Sequence, residues 1–138
     1  MLNTKLYKRV HSLAETLLNA AHKNDSSLFD KLYEELKQLC LENENSGKNH
    51  PVQWETLADF TEDADEALTV YKKALDYAEA SSENDYIASI HYSMAIILKE
   101  MGQSEQALDS ALKANEQLNN IGDDTLQEEI SELLASLR

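Results

Sequence analysis

The sequence predicts an all-α fold, an antiparallel stack of helix hairpins with about seven helices. Three observations lead there. Glycine occurs three times and proline once in 138 residues, too few for a turn-rich β fold, while residues with good helix propensity abound. Apolar residues recur at alternating spacings of four and three, the period of one helical face. Finally, Ala67-Leu68-x-x-Tyr71-x-x-Ala74-Leu75 returns forty positions later as Ala107-Leu108-x-x-Ala111-x-x-Ala114. Each run follows an earlier helix, carrying Leu57-Ala58 or Met94-Ala95. Small residues stacked on one face let a neighbouring helix approach closely, and repeated helix pairs stack into grooved surfaces.

The first helix is expected from about residue 4 to 21, with Leu6, Val10, Leu13, Leu17 and Ala21 on its inner face. The second starts near Asp25 or Ser26, both good caps, and turns Phe29, Leu32, Tyr33, Leu36, Leu39 and Cys40 inward. The polar run Glu44-Asn45-Ser46-Gly47-Lys48-Asn49 is a clear break. His50 then precedes Pro51, a first-turn proline whose missing N–H costs nothing. The third helix carries Trp54, Leu57, Ala58 and Thr61 inward. A tight turn over residues 61–65 leads into the fourth, which ends near Ala80. Ser81 or Ser82 caps the fifth, which buries Ile87, Ile90, Met94, Leu98 and Met101. Gly102 ends it and Ser104 begins the sixth, which Asn119, Asn120 and Gly122 close. The seventh, from about Asp123, spaces Leu126, Ile130, Leu133, Leu134 and Leu137 helically and covers the open end of the stack.

These residues resemble the tetratricopeptide repeat family, whose motif is an antiparallel helix pair. Trp54-x-x-Leu57-Ala58 with Ala67-x3-Tyr71-x2-Ala74 matches one repeat. Met94-Ala95, Gly102 and Ala107-x3-Ala111-x2-Ala114 match the next, with His91 standing where Trp54 stands. The resemblance implies an α-solenoid of this type over one domain, residues 1–138. Within it, residues 1–45 form an N-terminal helical pair, 50–118 two repeats and 122–138 a capping helix. Departures are visible. Ala58 to Ala67 is nine residues and Ala95 to Ala107 twelve, and the forty-residue period exceeds the family's usual value of about thirty-four. The N-terminal pair places Leu32, Leu36 and Leu39 where the motif has small residues.

The resemblance further implies that the first helix of each pair lines a concave face. Offsets from Ala58 and Ala95 then select the residues sharing that edge: Val52, Glu55, Asp59 and Glu62, and Ser89, Tyr92, Ile96 and Lys99. Acidic groups beside an aromatic and an aliphatic anchor suit a basic or amphipathic protein segment. Family members that grip a terminal carboxylate do so with cationic and amide side chains, and here only Lys99 has the required sign.

Charge divides the chain at Pro51. Residues 1–50 hold seven Lys/Arg and seven Asp/Glu, whereas residues 51–138 hold five against nineteen and carry the whole net charge of −14. This argues against nucleic acid, which needs a basic stripe, and favours a basic partner drawn by long-range attraction. An acidic, solvated surface that keeps the protein soluble is the plain alternative. No segment reaches the about eighteen apolar residues of a membrane span, and no secretory leader pattern opens the chain. One cysteine, Cys40, flanked by leucines, reads as a buried inert thiol in a reducing cytoplasm.

No cofactor, metal or catalytic constellation is expected. Glu62-Asp63-Ala64-Asp65-Glu66 lacks the glycine of a calcium loop and reads as a helix start, where carboxylates complement the dipole. His11, His22, His50 and His91 lack the spacing of a zinc site. Glycine-rich phosphate loops and nucleophile motifs are missing from the sequence. The expected function is a non-catalytic protein-binding adaptor of the bacterial cytoplasm. The alternatives are an acidic inhibitor of a basic toxin or nuclease, a secretion chaperone, and a homodimer whose groove is filled by its own N-terminal helices.

Overall fold

The computed structural model describes residues 3–118 and 122–138. Among these residues it is all-helical: α1 (Thr4–His22), α2 (Ser26–Asn43), α3 (Pro51–Asp59), α4 (Ala64–Ala80), α5 (Asn84–Glu100), α6 (Ser104–Glu116) and α7 (Asp124–Leu137). Asn119 and Asn120, expected to close the sixth helix, lie outside the described residues. The chain divides into two compact units, Met1–Val70 and Tyr71–Arg138.

In the first unit α1, α2 and α3 pack on one another. Asn3 caps α1 by accepting from the Leu6 N–H at 3.0 Å. The core residues of α1 are Val10, Leu13, Leu17 and Ala20. Ala20, not the expected Ala21, is buried; Ala21 is exposed. The 4-3-4-3 run 6, 10, 13, 17, 20 keeps to the inner face, whereas a step from 17 to 21 drifts off it. On α2, Leu36 and Cys40 are fully buried, and Phe29, Leu32, Tyr33 and Leu39 half-buried. The Cys40 thiol donates to the Gln53 carbonyl oxygen at 3.3 Å, consistent with an inert role.

His50 is not simply a loop residue. It is the buried N-cap of α3: Nδ1 accepts from the Val52 N–H at 3.1 Å, while Gln53 Oε1 accepts from the His50 N–H at 3.0 Å. This capping box satisfies helix-end donors beside Pro51 at the first helical position. Histidine is not among the favoured caps, so the sequence alone did not signal it. Trp54, Leu57 and Ala58 point into the core as expected, and Thr61 is half-buried. The acidic run after α3 serves α4, since Asp63 Oδ2 accepts from the Glu66 N–H at 2.9 Å.

In the second unit α5, α6 and α7 pack together. Ala88 and Ala95 of α5 and Ala107, Ala111 and Ala114 of α6 have no exposed surface. Ala95, Ala111 and Ala114 form one cluster with Ile130, Leu133 and Leu134 of α7. The repeated small residues therefore sit where these helices meet. Ile87, Ile90, Met94 and Leu98 are buried, while Met101 is half-buried as the C-cap of α5.

Three helix ends share one turn. After α1, α4 and α5 the chain passes through a left-handed residue: Asn24 (φ 57°), Ser82 (φ 54°) and Gly102 (φ 80°). Each time the next N–H reaches back to a carbonyl of the finished helix, Asp25 to Ala20 at 2.9 Å, Glu83 to Ala78 at 3.0 Å and Gln103 to Leu98 at 2.9 Å. These are Schellman terminations, which satisfy orphan carbonyls and reverse the chain. Ser81 and Ser82 thus close α4 instead of capping α5. Glu83 takes the cap position there, without a side-chain bond to the helix end. Because an added Cβ at Gly102 meets nothing within 4 Å, only its φ opposes substitution. Gly102→Ala should therefore lower stability, and Ser82→Gly raise it, by about 1 kcal/mol each in urea denaturation. A null shift for both would remove the left-handed turns from the determinants of stability.

Candidate functional site

In the second unit, α5 and α7 bound an open trough of about 450 Å³. From α5 come Tyr92, Ile96, Lys99 and Glu100; from α7 come Glu129, Glu132, Leu133 and Ser136. The four-and-three spacing of each set puts its members on one helix edge. Tyr92 and Ile96, both half-buried, pack against the cluster formed by Ala95, Ala111, Ala114, Ile130, Leu133 and Leu134. The floor is therefore apolar and well supported. Its rim is mostly anionic, with Glu100, Glu129 and Glu132 against Lys99. The Lys99 ammonium donates to Ser136 Oγ at 3.0 Å, and Ser136 Oγ donates to the Leu133 carbonyl at 2.7 Å.

Partial burial pushes the Tyr92 phenol pKa up. The Glu129 carboxylate, which also hydrogen-bonds it, and the Glu132 charge add to that shift. Tyr92 accordingly stays neutral at physiological pH and presents a hydroxyl beside carboxylates, an arrangement suited to a partner's cation or N–H donors.

Of the residues selected from sequence, the structure brings Tyr92, Ile96 and Lys99 together. Ser89 is half-buried on the same helix and is not part of the trough wall. Val52, Glu55, Asp59 and Glu62 belong to the first unit, the first two half-buried and the last two exposed. Glu62 lines a separate hollow of about 210 Å³ with Phe29, Asp30 and the α1–α2 turn. The residues of α7 were missed. Their apolar spacing marked the helix, but nothing in one sequence indicates which edge faces α5.

A larger open trough, about 870 Å³, lies between α1 and α2. Arg9, Lys31, Glu34, Glu35 and Glu42 line it, and an Arg9–Glu35 ion pair links its two sides. Mixed signs leave it without a directed field. Among the described residues, no group of three or more His, Cys, Asp or Glu side chains could hold a metal ion. No protein-family model, curated protein or solved structure matches this chain.

His91 lies behind the trough, on the buried side of α5. Its Nδ1 has no hydrogen-bond partner. Desolvation lowers its pKa below the usual 6.5, and Lys113 lowers it further, against the opposing fields of Asp109 and Glu116. The native state therefore favours the neutral ring, while the unfolded state binds a proton more readily. Stability from this site is complete above the unfolded value and declines as pH falls through 6.5 towards the lower folded pKa. Stability measured from pH 7.5 to 5 should fall less steeply for His91→Gln than for the wild type. Equal slopes would show that His91 titrates alike in both states.

Proposed function

We propose that this protein is a non-catalytic protein–protein interaction module that binds a basic, amphipathic segment on an acidic, apolar-floored surface. The observation that carries the reading is the α5–α7 trough, where Tyr92, Ile96 and Leu133 form the floor below Glu100, Glu129 and Glu132. A helix or extended segment with apolar residues on one side and Lys or Arg on the other matches both layers. Long-range attraction to the acidic half of the chain would raise the association rate, and burial against Tyr92 and Ile96 would slow dissociation.

The resemblance of residues 50–118 to tetratricopeptide repeats supports the same reading, because that architecture presents the first helix of each pair to a partner. On it, Val52, Glu55, Asp59 and Glu62 would be the partner-facing edge of the first unit's own helix α3 and the turn after it. A reducing compartment such as the cytoplasm is the setting we assign, on the single cysteine. The net charge of −14 also favours a second reading, in which the whole partner is a basic toxin or nuclease that the chain neutralises.

Fluorescence anisotropy with a labelled amphipathic Leu/Lys peptide, and an uncharged peptide of equal helicity as control, tests the proposal. The basic peptide should bind, more weakly as salt is raised. Tyr92→Ala should weaken it roughly tenfold or more, the scale of an aromatic anchor. Reversing Glu129 and Glu132 together to Lys should reduce the salt dependence and slow association. Binding that ignores all three changes would exclude the trough as the site.

A further inference from the structure

We infer that the outward edge of α1 is a self-association surface, on which a second copy of this chain docks antiparallel to the first. The edge has its own heptad-like run. Tyr7, His11, Ala14, Leu18 and Ala21 follow spacings of 4-3-4-3, one residue out of step with the inner run of half-buried Leu6 and buried Val10, Leu13, Leu17 and Ala20. One helix thus carries two parallel seams, of which the inner is used within the unit. On the outer seam Tyr7 is 38% and Leu18 50% exposed, Ala21 is exposed and Ala14 half-buried. The Tyr7 and His11 rings stack, with centroids 6.3 Å apart, holding the upper seam as one surface.

Charge identifies the occupant. Two copies, each at −14, repel through everything after Pro51, while residues 1–50 are net neutral. Four of the five exposed large hydrophobics among the described residues, Tyr7, Leu18, Leu28 and Leu41, also precede residue 50. The net-neutral region is where like molecules meet with the least electrostatic penalty and where apolar surface awaits cover.

The seam is also self-complementary. In antiparallel helix pairing, positions whose numbers sum to 25 face one another, which sets Tyr7 on Leu18 of the second copy and His11 on its Ala14. Each layer then fills a pocket, with a large ring against leucine or against a methyl group. The flank adds to this. Lys8 and Glu15, both exposed, each follow a seam residue, Tyr7 and Ala14, and so share one flank. Summing to 23, they lie two residues from level in this register, within reach of a lysine side chain, so Lys8 meets Glu15 of the second copy, and the two-fold repeats the pair. Glu15 accepts at 2.8 Å from His11 within its own chain, an exposed contact that leaves its other oxygen for Lys8. This inference rests on the seam of α1 and the charge distribution of the chain, and does not depend on the reading of the α5–α7 trough.

Sedimentation equilibrium of the full chain tests it. The wild type should be a dimer that dissociates on dilution, and Leu18→Glu should be monomeric with unchanged helical circular dichroism. Lys8→Glu and Glu15→Lys, each placing like charges across the seam, should weaken the dimer roughly tenfold. The double exchange Lys8→Glu with Glu15→Lys should restore it, because both copies then carry the swapped pair. A wild type that stays monomeric at the highest attainable concentration overturns the inference. So does a dimer indifferent to Leu18→Glu, or a double exchange that fails to recover what the single changes lose.

Discussion

The close approach of α5 and α6 governs the second unit. Ala88, Ala95, Ala107, Ala111 and Ala114 are all without exposed surface, and Ala95, Ala111 and Ala114 share one packed cluster, so small side chains let the two helices approach closely there. That contact exposes one side of the pair to α7, whose Ile130, Leu133 and Leu134 complete the cluster. A larger side chain in this seam would force the helices apart, since packed interiors absorb even one methylene poorly. The α5–α7 trough is a consequence of it, because its floor residues rest on the same alanines.

Helix reversal is handled by a device that recurs at three joints. A left-handed residue, occupied by Asn24, Ser82 or Gly102, reverses the chain, and the next residue takes the cap position of the following helix. Only the glycine adopts that conformation without steric cost, and asparagine tolerates it better than serine. The turns are thus built to one plan from unequal residues, and Ser82 is the one whose side chain opposes its backbone.

Function, on our reading, follows from the separation of charge and apolar surface along the chain. The acidic half joins carboxylates to a supported apolar floor, whereas the neutral half places its exposed apolar groups on α1 and α2. One half suits a partner of opposite sign and the other a partner of equal sign. Long-range fields act on the first, and short-range complementarity must suffice for the second.

Helical periodicity and the scarcity of glycine and proline were enough to determine the all-α class, the seven helices and most of the core, because they are local properties of the chain. Tyr92, Ile96 and Lys99 were legible as one edge for the same reason. Tertiary structure alone decided what faces that edge: Glu129, Glu132, Leu133 and Ser136 join it through packing, which no spacing within α7 encodes. It also decided that His50 caps α3, and that the two serines after α4 finish a helix instead of starting one. Each of these depends on the direction of a neighbouring element or on a single backbone dihedral. Neither quantity leaves a periodic trace in the sequence.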